Sequence, residues 1–233
     1  MDRIPTLHRQ TLLALACLLA LALSPPNARG GDSSDIVRET TRTLEGGSGR
    51  VATFWWLPQE YWEQAAKELA LSAEEQEKVR TVFRDYLVVG ALETKLNLER
   101  KPEFASIGEI VARAKFYRDG EEITVLRDVN PELARLVPRL VYLLRASLSG
   151  LGEGLRLLPL ANVDAKGNRI LTGDSPGVFE LEYRFDDKAE AQRIYWHAPF
   201  TSIVGAKKCP RGGEPLEASF DFCPWHGVKI KPD

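Results

Sequence analysis

This sequence has no large excess of either positive or negative residues, and it has few long apolar runs. Its 233 residues include 31 Lys and Arg against 33 Asp and Glu, which gives a formal net charge of −2. The sequence contains no basic stripe that would attract a phosphate backbone or an anionic membrane surface. It therefore argues against nucleic acid as a partner and against recruitment to a membrane by charge.

Histidine and cysteine are also scarce, with 3 of each. Beyond residue 28 the only histidines are His197 and His226, and the only cysteines are Cys209 and Cys223. His197 stands alone in the segment IYWHAPF, where a single histidine is more often a hydrogen-bonded structural residue than a catalytic one. This scarcity favours a protein that binds over one that catalyses. An enzyme, for example a hydrolase whose site is assembled from residues distant in sequence, is the alternative.

The one long apolar run is Thr11–Leu23. As a helix it would span about 20 Å, less than the roughly 30 Å of a bilayer core. Arg3 and Arg9 precede it and Ser-Pro-Pro-Asn-Ala follows it, which is the layout of a secretory signal peptide. We predict that residues 1–28 are removed and that the mature chain, with no transmembrane segment, is periplasmic or secreted. A retained anchor and lipidation at Cys17 are the alternatives.

Composition divides the remaining chain into three parts. The sizeable apolar residues of 29–50 are only Ile36, Val37 and Leu44. Because so few apolar side chains rarely support a fold, we predict that 29–50 is a disordered tether. Apolar content is steady over residues 51–206, which predicts the main domain, and residues 207–233 form a tail with paired cysteines.

The main domain begins with the aromatic segment TFWWLPQEYW. A large aromatic side chain buries about 150–250 Å², and a domain of this size needs such area in its core. We therefore expect Trp55 and Trp56 to be core residues. A binding platform on which they stack sugar rings is the alternative.

Helix and strand signals predict an α+β domain. Ser72 and Glu75 form a capping box, and Asn130 precedes a proline at the start of an apolar stripe, so each marks the start of a helix. Further strands are expected near residues 178–185 and 192–197. Along the chain, the signals give helices first, then strands, then one crossing helix and more strands. This order predicts an antiparallel sheet with helices packed on one face.

The clearest hairpin is predicted over residues 110–126. Asp119 and Gly120 supply the positive φ angles of a two-residue type I′ turn. Counting back from this turn pairs Phe116 with Ile123 on one face, and we expect that face to point into the core.

The tail contains two similar segments, CPRGG at 209–213 and CPWHG at 223–227. They resemble the paired knuckles of a zinc ribbon, whose usual form is CPxCG at both positions. Gly212 replaces a ligand in the first segment, and His226 replaces a cysteine in the second. The resemblance covers only residues 207–227. It implies a ribbon-like hairpin with a structural or interaction role, and it implies no activity.

The tail can be held together in two main ways. Structural zinc would use Cys209, Cys223 and His226, with a fourth ligand that a structural site requires. That ligand would be Asp221 first of all, or Glu214 or His197; without one, a water molecule would complete an open site.

In an oxidising compartment, two cysteines on facing knuckles instead form a disulfide. Closing a loop of about 15 residues contributes about 3 kcal/mol in the chain-entropy model. We therefore predict a Cys209–Cys223 disulfide and no cofactor, with zinc or free thiols as alternatives. The sequence as a whole predicts an exported, non-catalytic binding or scaffold protein whose partner is a protein or a cell-envelope component.

Overall fold

The computed structural model describes residues 32–95, 102–164 and 166–230, so the predicted signal peptide lies outside the described residues. Within these ranges the helices are α1 (Ser33–Thr40), α2 (Gln59–Glu68), α3 (Ala73–Phe83), α4 (Ile107–Arg113), α5 (Pro131–Ser147) and α6 (Thr201–Val204), with 3₁₀ turns at Gly47–Gly49 and Ser149–Gly154. The strands are β1 (Thr41–Gly46), β2 (Arg50–Leu57), β3 (Tyr86–Lys95), β4 (Glu103–Phe104), β5 (Ala114–Arg118), β6 (Glu121–Ile123), β7 (Arg156–Ala161), β8 (Gly177–Tyr183), β9 (Gln192–Ala198), β10 (Lys207–Lys208) and β11 (Pro215–Leu216). None of the helices described is both long and apolar enough to cross a membrane.

The strands form three antiparallel sheets. In the first sheet β2 lies between β1 and β3, and the other edge of β3 pairs with β7 along its first part and with β4 at its end. The second sheet has the order β6-β5-β8-β9, and β10 pairs with β11 in the tail. Helices α2, α3 and α5 pack on one face of the first sheet. The predicted α+β class, with helices on one face of an antiparallel sheet, is confirmed.

The second sheet covers the opposite face of the first. Side chains of β2 alternate between two cores: Trp55 packs toward the helices, and Trp56 packs toward the second sheet. Both indole rings are buried, and Trp56 makes edge-to-face contacts with Phe179 and Phe200. The core role expected for these tryptophans is therefore correct, and the sugar-binding platform is wrong, because neither ring reaches solvent.

Residues 33–46 are not a tether. Asp32 caps α1 by accepting a hydrogen bond from the Asp35 N–H at 3.1 Å, and β1 pairs with β2 along its length. The apolar residues of this segment, Ile36, Val37 and Leu44, are all buried. The Trp196 indole N–H also donates to the Thr40 carbonyl at 2.6 Å. The tether prediction failed because these few side chains insert into cores built mainly by distant parts of the chain.

The predicted hairpin register is confirmed in β5 and β6. Phe116 pairs with Ile123, and Phe116 is buried against Phe179. Asp119 and Gly120 have the positive φ angles that the turn requires. The strand begins at Ala114, however, because residues 107–113 form α4. The second strand ends at Ile123, and Val125 forms a bridge with Leu160 of β7, so the predicted hairpin was too long at both ends.

Both predicted helix starts are confirmed. The Ser72 and Glu75 side chains form the reciprocal capping box of α3, and the Asn130 side chain accepts the Glu132 N–H at 2.8 Å at the start of α5. Pro138 lies inside α5, and the helix continues past it to Ser147.

Candidate metal centre

The two cysteine segments of the tail fold into the same turn. In each, the glycine at the fifth position donates its N–H to the cysteine carbonyl: Gly213 to Cys209 at 2.9 Å and Gly227 to Cys223 at 2.8 Å. The cysteine N–H in turn donates to the carbonyl of the residue after that glycine, at 2.9 Å in both turns. Both glycines have positive φ, +77° and +63°, which explains why glycine ends each segment. The internal similarity of the sequence is therefore a similarity of backbone conformation.

A small apolar cluster holds the two turns together. Its buried members are Cys209, Leu216, Cys223 and Ile230. The tail is attached to the main domain where the Ala218 N–H donates to the Thr201 hydroxyl at 2.9 Å. Both cysteines are thus buried in the small apolar cluster of the tail.

His226 brings its Nδ1 atom to both sulfurs. Nδ1 lies 3.3 Å from the Cys209 Sγ and 3.5 Å from the Cys223 Sγ. The three atoms all lie within 4.8 Å of one another. Zinc bonds of about 2.3 Å to sulfur and about 2.0–2.1 Å to nitrogen set the S···N edge of a tetrahedron at about 3.5 Å. The donor set and its spacing therefore fit a zinc ion.

The predicted disulfide is not formed. Cys209 and Cys223 are brought together as expected, but both are free thiols. Each sulfur instead has the His226 Nδ1 within hydrogen-bonding distance. The Gly212 N–H adds a contact to the Cys209 sulfur at 3.4 Å.

Asp221 does not belong to the group of ligand atoms that lie within 4.8 Å of one another. Its side chain is exposed, and its carbonyl accepts the Ile230 N–H at 2.8 Å. The structure therefore does not bring Asp221, the first choice for a fourth ligand, into the group of candidate metal ligands. Of the other two residues considered, His197 lies on β9, outside the tail, whereas the Glu214 Oε2 atom lies 4.0 Å from the His226 Nδ1.

Glu214 sits in a polar environment that favours its ionised form. A hydrogen bond involving its own backbone is the main cause that holds the pKa of the Glu214 carboxyl below its ordinary value, while partial burial opposes this. The neighbouring Cys209 and His226 side chains lower the pKa further.

His197 lines a cleft of about 290 Å³ between α1, α6 and the tail. Two charged residues of this cleft, Glu39 and Arg42, connect separate elements of the fold. The Glu39 carboxylate accepts the backbone N–H groups of Thr201 and Ser202, each at 2.7 Å. Arg42 donates to backbone carbonyls, and burial lowers its pKa while Glu217 and Glu39 oppose that shift.

A serine nucleophile is not assembled in this cleft. The Ser202 hydroxyl is buried and has no hydrogen-bond partner among the described residues. A nucleophilic serine is activated by a base within hydrogen-bonding reach, and the exposed His197 ring instead stacks on Tyr195 with ring centres 6.3 Å apart. The cleft is therefore a place where α1, α6 and the tail pack together.

Residues 173–177, GDSPG, match the letters of the Gly-x-Ser-x-Gly hydrolase motif. That motif requires a turn from a strand into a helix, with the serine at its apex. Here the segment instead leads into strand β8, and the Ser175 hydroxyl donates to the Asp174 carboxylate at 3.1 Å. The structural context of the motif is absent at these residues.

Comparison of the chain with protein-family models, with curated proteins and with solved structures finds no match.

Proposed function

We propose that this chain is an exported, non-catalytic binding or scaffold protein whose tail is a zinc-binding ribbon. Cys209, Cys223 and His226 hold the ion. The observation that carries the proposal is the position of one imidazole nitrogen at 3.3 Å and 3.5 Å from two buried sulfurs.

The chemistry of the donors favours zinc over the hard cations. Thiolate and imidazole ligands suit zinc, whereas magnesium and calcium prefer oxygen. When bound, zinc cross-links the two turns and lends its binding energy to the fold of the tail.

The size of the tail supports a structural role for the site. The tail cluster contains four buried residues, two of them the cysteines themselves. So small an apolar cluster rarely holds a hairpin alone, and small folds are commonly completed by a metal or a disulfide. Zinc supplies that cross-link while leaving both cysteines as thiolates.

Metal analysis of the purified protein tests the zinc site. We expect one zinc per chain, and we expect Cys223→Ser and His226→Ala to lose it. Arg211→Ala, which changes an exposed side chain in the first turn, should keep the metal and serves as the control. A wild-type protein without metal, in which mass spectrometry finds Cys209 linked to Cys223, would show that the tail is a disulfide hairpin instead.

Export is supported by the basic start, the short apolar run and the residues that follow it in the sequence. N-terminal sequencing of the exported protein should begin between Pro25 and Asp32. Recovery of Met1 on exported material would refute the signal peptide.

A binding role is supported by exposed aromatic side chains. Phe222, just before the second turn, is 56% exposed, and Trp225, within that turn, is 66% exposed. Exposed aromatic residues are frequent anchors of protein interfaces. The partner we propose is a protein or a component of the cell envelope.

Affinity capture from an envelope fraction tests the binding role. A partner recovered by the wild-type chain should be lost from the Phe222→Ala/Trp225→Ala variant. It should be retained by Tyr142→Ala, which removes an equally exposed aromatic residue from α5. Equal recovery by all three proteins would exclude the tail as the binding surface.

A further inference from the structure

The two turns of the tail differ at one position. In the second turn the fourth residue is His226, whose ring approaches both sulfurs. In the first turn the fourth residue is Gly212, which has no side chain to offer. Because the two turns share their backbone hydrogen bonds, Gly212 marks the place from which a fourth ligand would otherwise extend.

The space beside Gly212 is occupied by a carboxylate. A Cβ atom built on Gly212 would lie 2.1 Å from the Glu214 Oε1 and 2.3 Å from its Oε2. These separations are far below van der Waals contact, so a side chain at 212 and this position of Glu214 exclude each other. The Glu214 side chain therefore fills the volume that a ligand at position 212 would use.

The backbone holds Glu214 in this place. Its carbonyl accepts the Cys209 N–H at 2.9 Å, and the positive φ of Gly213 reverses the chain between Gly212 and Glu214. Glu214 thus lies beside the first sulfur although it is five residues away in sequence.

One oxygen of this carboxylate lacks a partner. The Oε2 atom is buried and makes no hydrogen bond within the described part of the chain. It is also 4.0 Å from the His226 Nδ1. The Glu214 side chain as a whole is 42% exposed, and it does not belong to the group of atoms that lie within 4.8 Å of one another. Buried carboxylate oxygens are normally hydrogen-bonded or bound to a cation, so an unpartnered one next to the His226 Nδ1 indicates a ligand.

We infer that Glu214 is the fourth zinc ligand and that its carboxylate replaces the knuckle ligand missing at Gly212. The inference rests on the proposed zinc site. Zinc bonds of about 2.0–2.2 Å to nitrogen and oxygen set their separation in a tetrahedron at about 3.4 Å. To bind the ion, the flexible Glu214 side chain must turn so that its oxygen moves from 4.0 Å to that distance from Nδ1 and also approaches both sulfurs.

This ligand set has a functional consequence. Two thiolates, one imidazole and one carboxylate complete a tetrahedron and leave no open position for water or substrate. The site is then a closed structural centre, which agrees with a non-catalytic role for the tail.

Cobalt titration of the metal-free full-length protein tests the inference, because the visible absorption of Co²⁺ reports its coordination number and its sulfur ligands. The wild type should show the intense bands of four-coordinate cobalt. Glu214→Gln should weaken cobalt binding by about tenfold or more, and its visible bands should become less intense as water enters. Asp221→Asn, an acid in the same tail, should match the wild type and serves as the control.

A second variant restores the missing ligand directly. Gly212→Cys combined with Glu214→Gln should recover tight binding, and its thiolate-to-cobalt absorption should exceed that of the wild type because three sulfurs bind. This gain keeps the test informative even where Glu214→Gln alone disturbs the tail.

The outcomes separate the two proposals. A wild type that binds cobalt tightly, with Glu214→Gln unchanged in affinity and spectrum, would overturn the role of Glu214 and leave the zinc site intact. A wild type that binds no cobalt and contains no zinc would overturn the site itself.

Discussion

The Tyr183 hydroxyl on β8 donates a hydrogen bond to the Glu93 carboxylate on β3 and so joins the two large sheets. The same carboxylate accepts Arg50 Nε at 2.9 Å and Arg113 Nη1 at 2.7 Å. Its side chain is only 5% exposed. Burial, with the Glu93 carboxylate adding to it, raises the pKa of Tyr183, so the hydroxyl keeps its proton and remains a donor. The interface between the sheets therefore contains a buried carboxylate that is paired with two arginines.

Removing that charge should destabilise the protein. Glu93→Ala leaves two partly buried arginines without their shared partner, and we expect a loss of about 2–4 kcal/mol in the free energy of unfolding. Tyr183→Phe removes one hydrogen bond and should cost about 1 kcal/mol. Urea denaturation measures both. Glu153→Ala, at an exposed position, should change stability by less than about 0.5 kcal/mol. Equal effects of the Glu93 and Glu153 variants would contradict this account.

The β5–β6 hairpin offers a test of face assignment with neighbouring residues. Phe116 is buried and stacks on Phe179 with ring centres 5.8 Å apart, whereas Tyr117 lies on the opposite, partly exposed face of the strand. Phe116→Ala should cost about 3–5 kcal/mol because it opens a cavity between the sheets. Tyr117→Ala should cost about 1 kcal/mol or less. Thermal unfolding of the two variants compares them, and similar losses would mean that the faces are wrongly assigned.

Local signals in the sequence predicted the parts of the fold that local chemistry determines. The Asp119–Gly120 turn sets the register of Phe116 against Ile123, and the Ser72–Glu75 capping box sets the start of α3. Each needs only residues close in sequence. The same holds for β9, where buried and exposed residues alternate because one face of the second sheet meets solvent.

Features that depend on distant residues were not predictable in this way. Segment 33–46 is ordered because its few apolar side chains enter cores formed elsewhere, and no pattern within it indicates those cores. In the tail the repeated segments correctly indicated which side chains meet. The position of the Glu214 carboxylate in the volume beside Gly212 could not be read from spacing, because it depends on the reversal of the backbone at Gly213.

The Glu60 carboxyl on α2 should make stability depend on pH. Its Oε2 atom is buried without a hydrogen-bond partner among the described residues, and burial is the main cause that raises the pKa of Glu60, with Asp174 adding and Arg169 opposing. The folded state therefore keeps this proton to a higher pH than the unfolded state does. The resulting stabilisation is fully present below the ordinary value of 4.5 and is lost as pH rises through the folded-state pKa.

Glu60→Gln should remove this dependence. The neutral amide needs no proton, so the variant should gain stability relative to the wild type as pH rises from about 4.5 to 7. Melting temperatures measured at both pH values give the comparison. Glu121→Gln, an exposed acid beside the hairpin turn, should show no such trend. An equal difference between wild type and Glu60→Gln at both pH values would exclude the buried carboxyl as the cause.

Removing zinc should convert the tail into the disulfide hairpin that the cysteines alone suggest. Zinc-bound thiolates are held as ligands, whereas chelation leaves Cys209 and Cys223 with their sulfurs within 4.8 Å of each other. We therefore expect mild oxidant to leave the zinc-bound protein unchanged and to link the two cysteines rapidly after chelation. Mass spectrometry without reduction detects the cross-linked peptide pair. His226→Ala should oxidise without chelator, because it lacks the nitrogen ligand. Oxidation of the wild type at one rate with and without zinc would show that the metal does not engage these sulfurs.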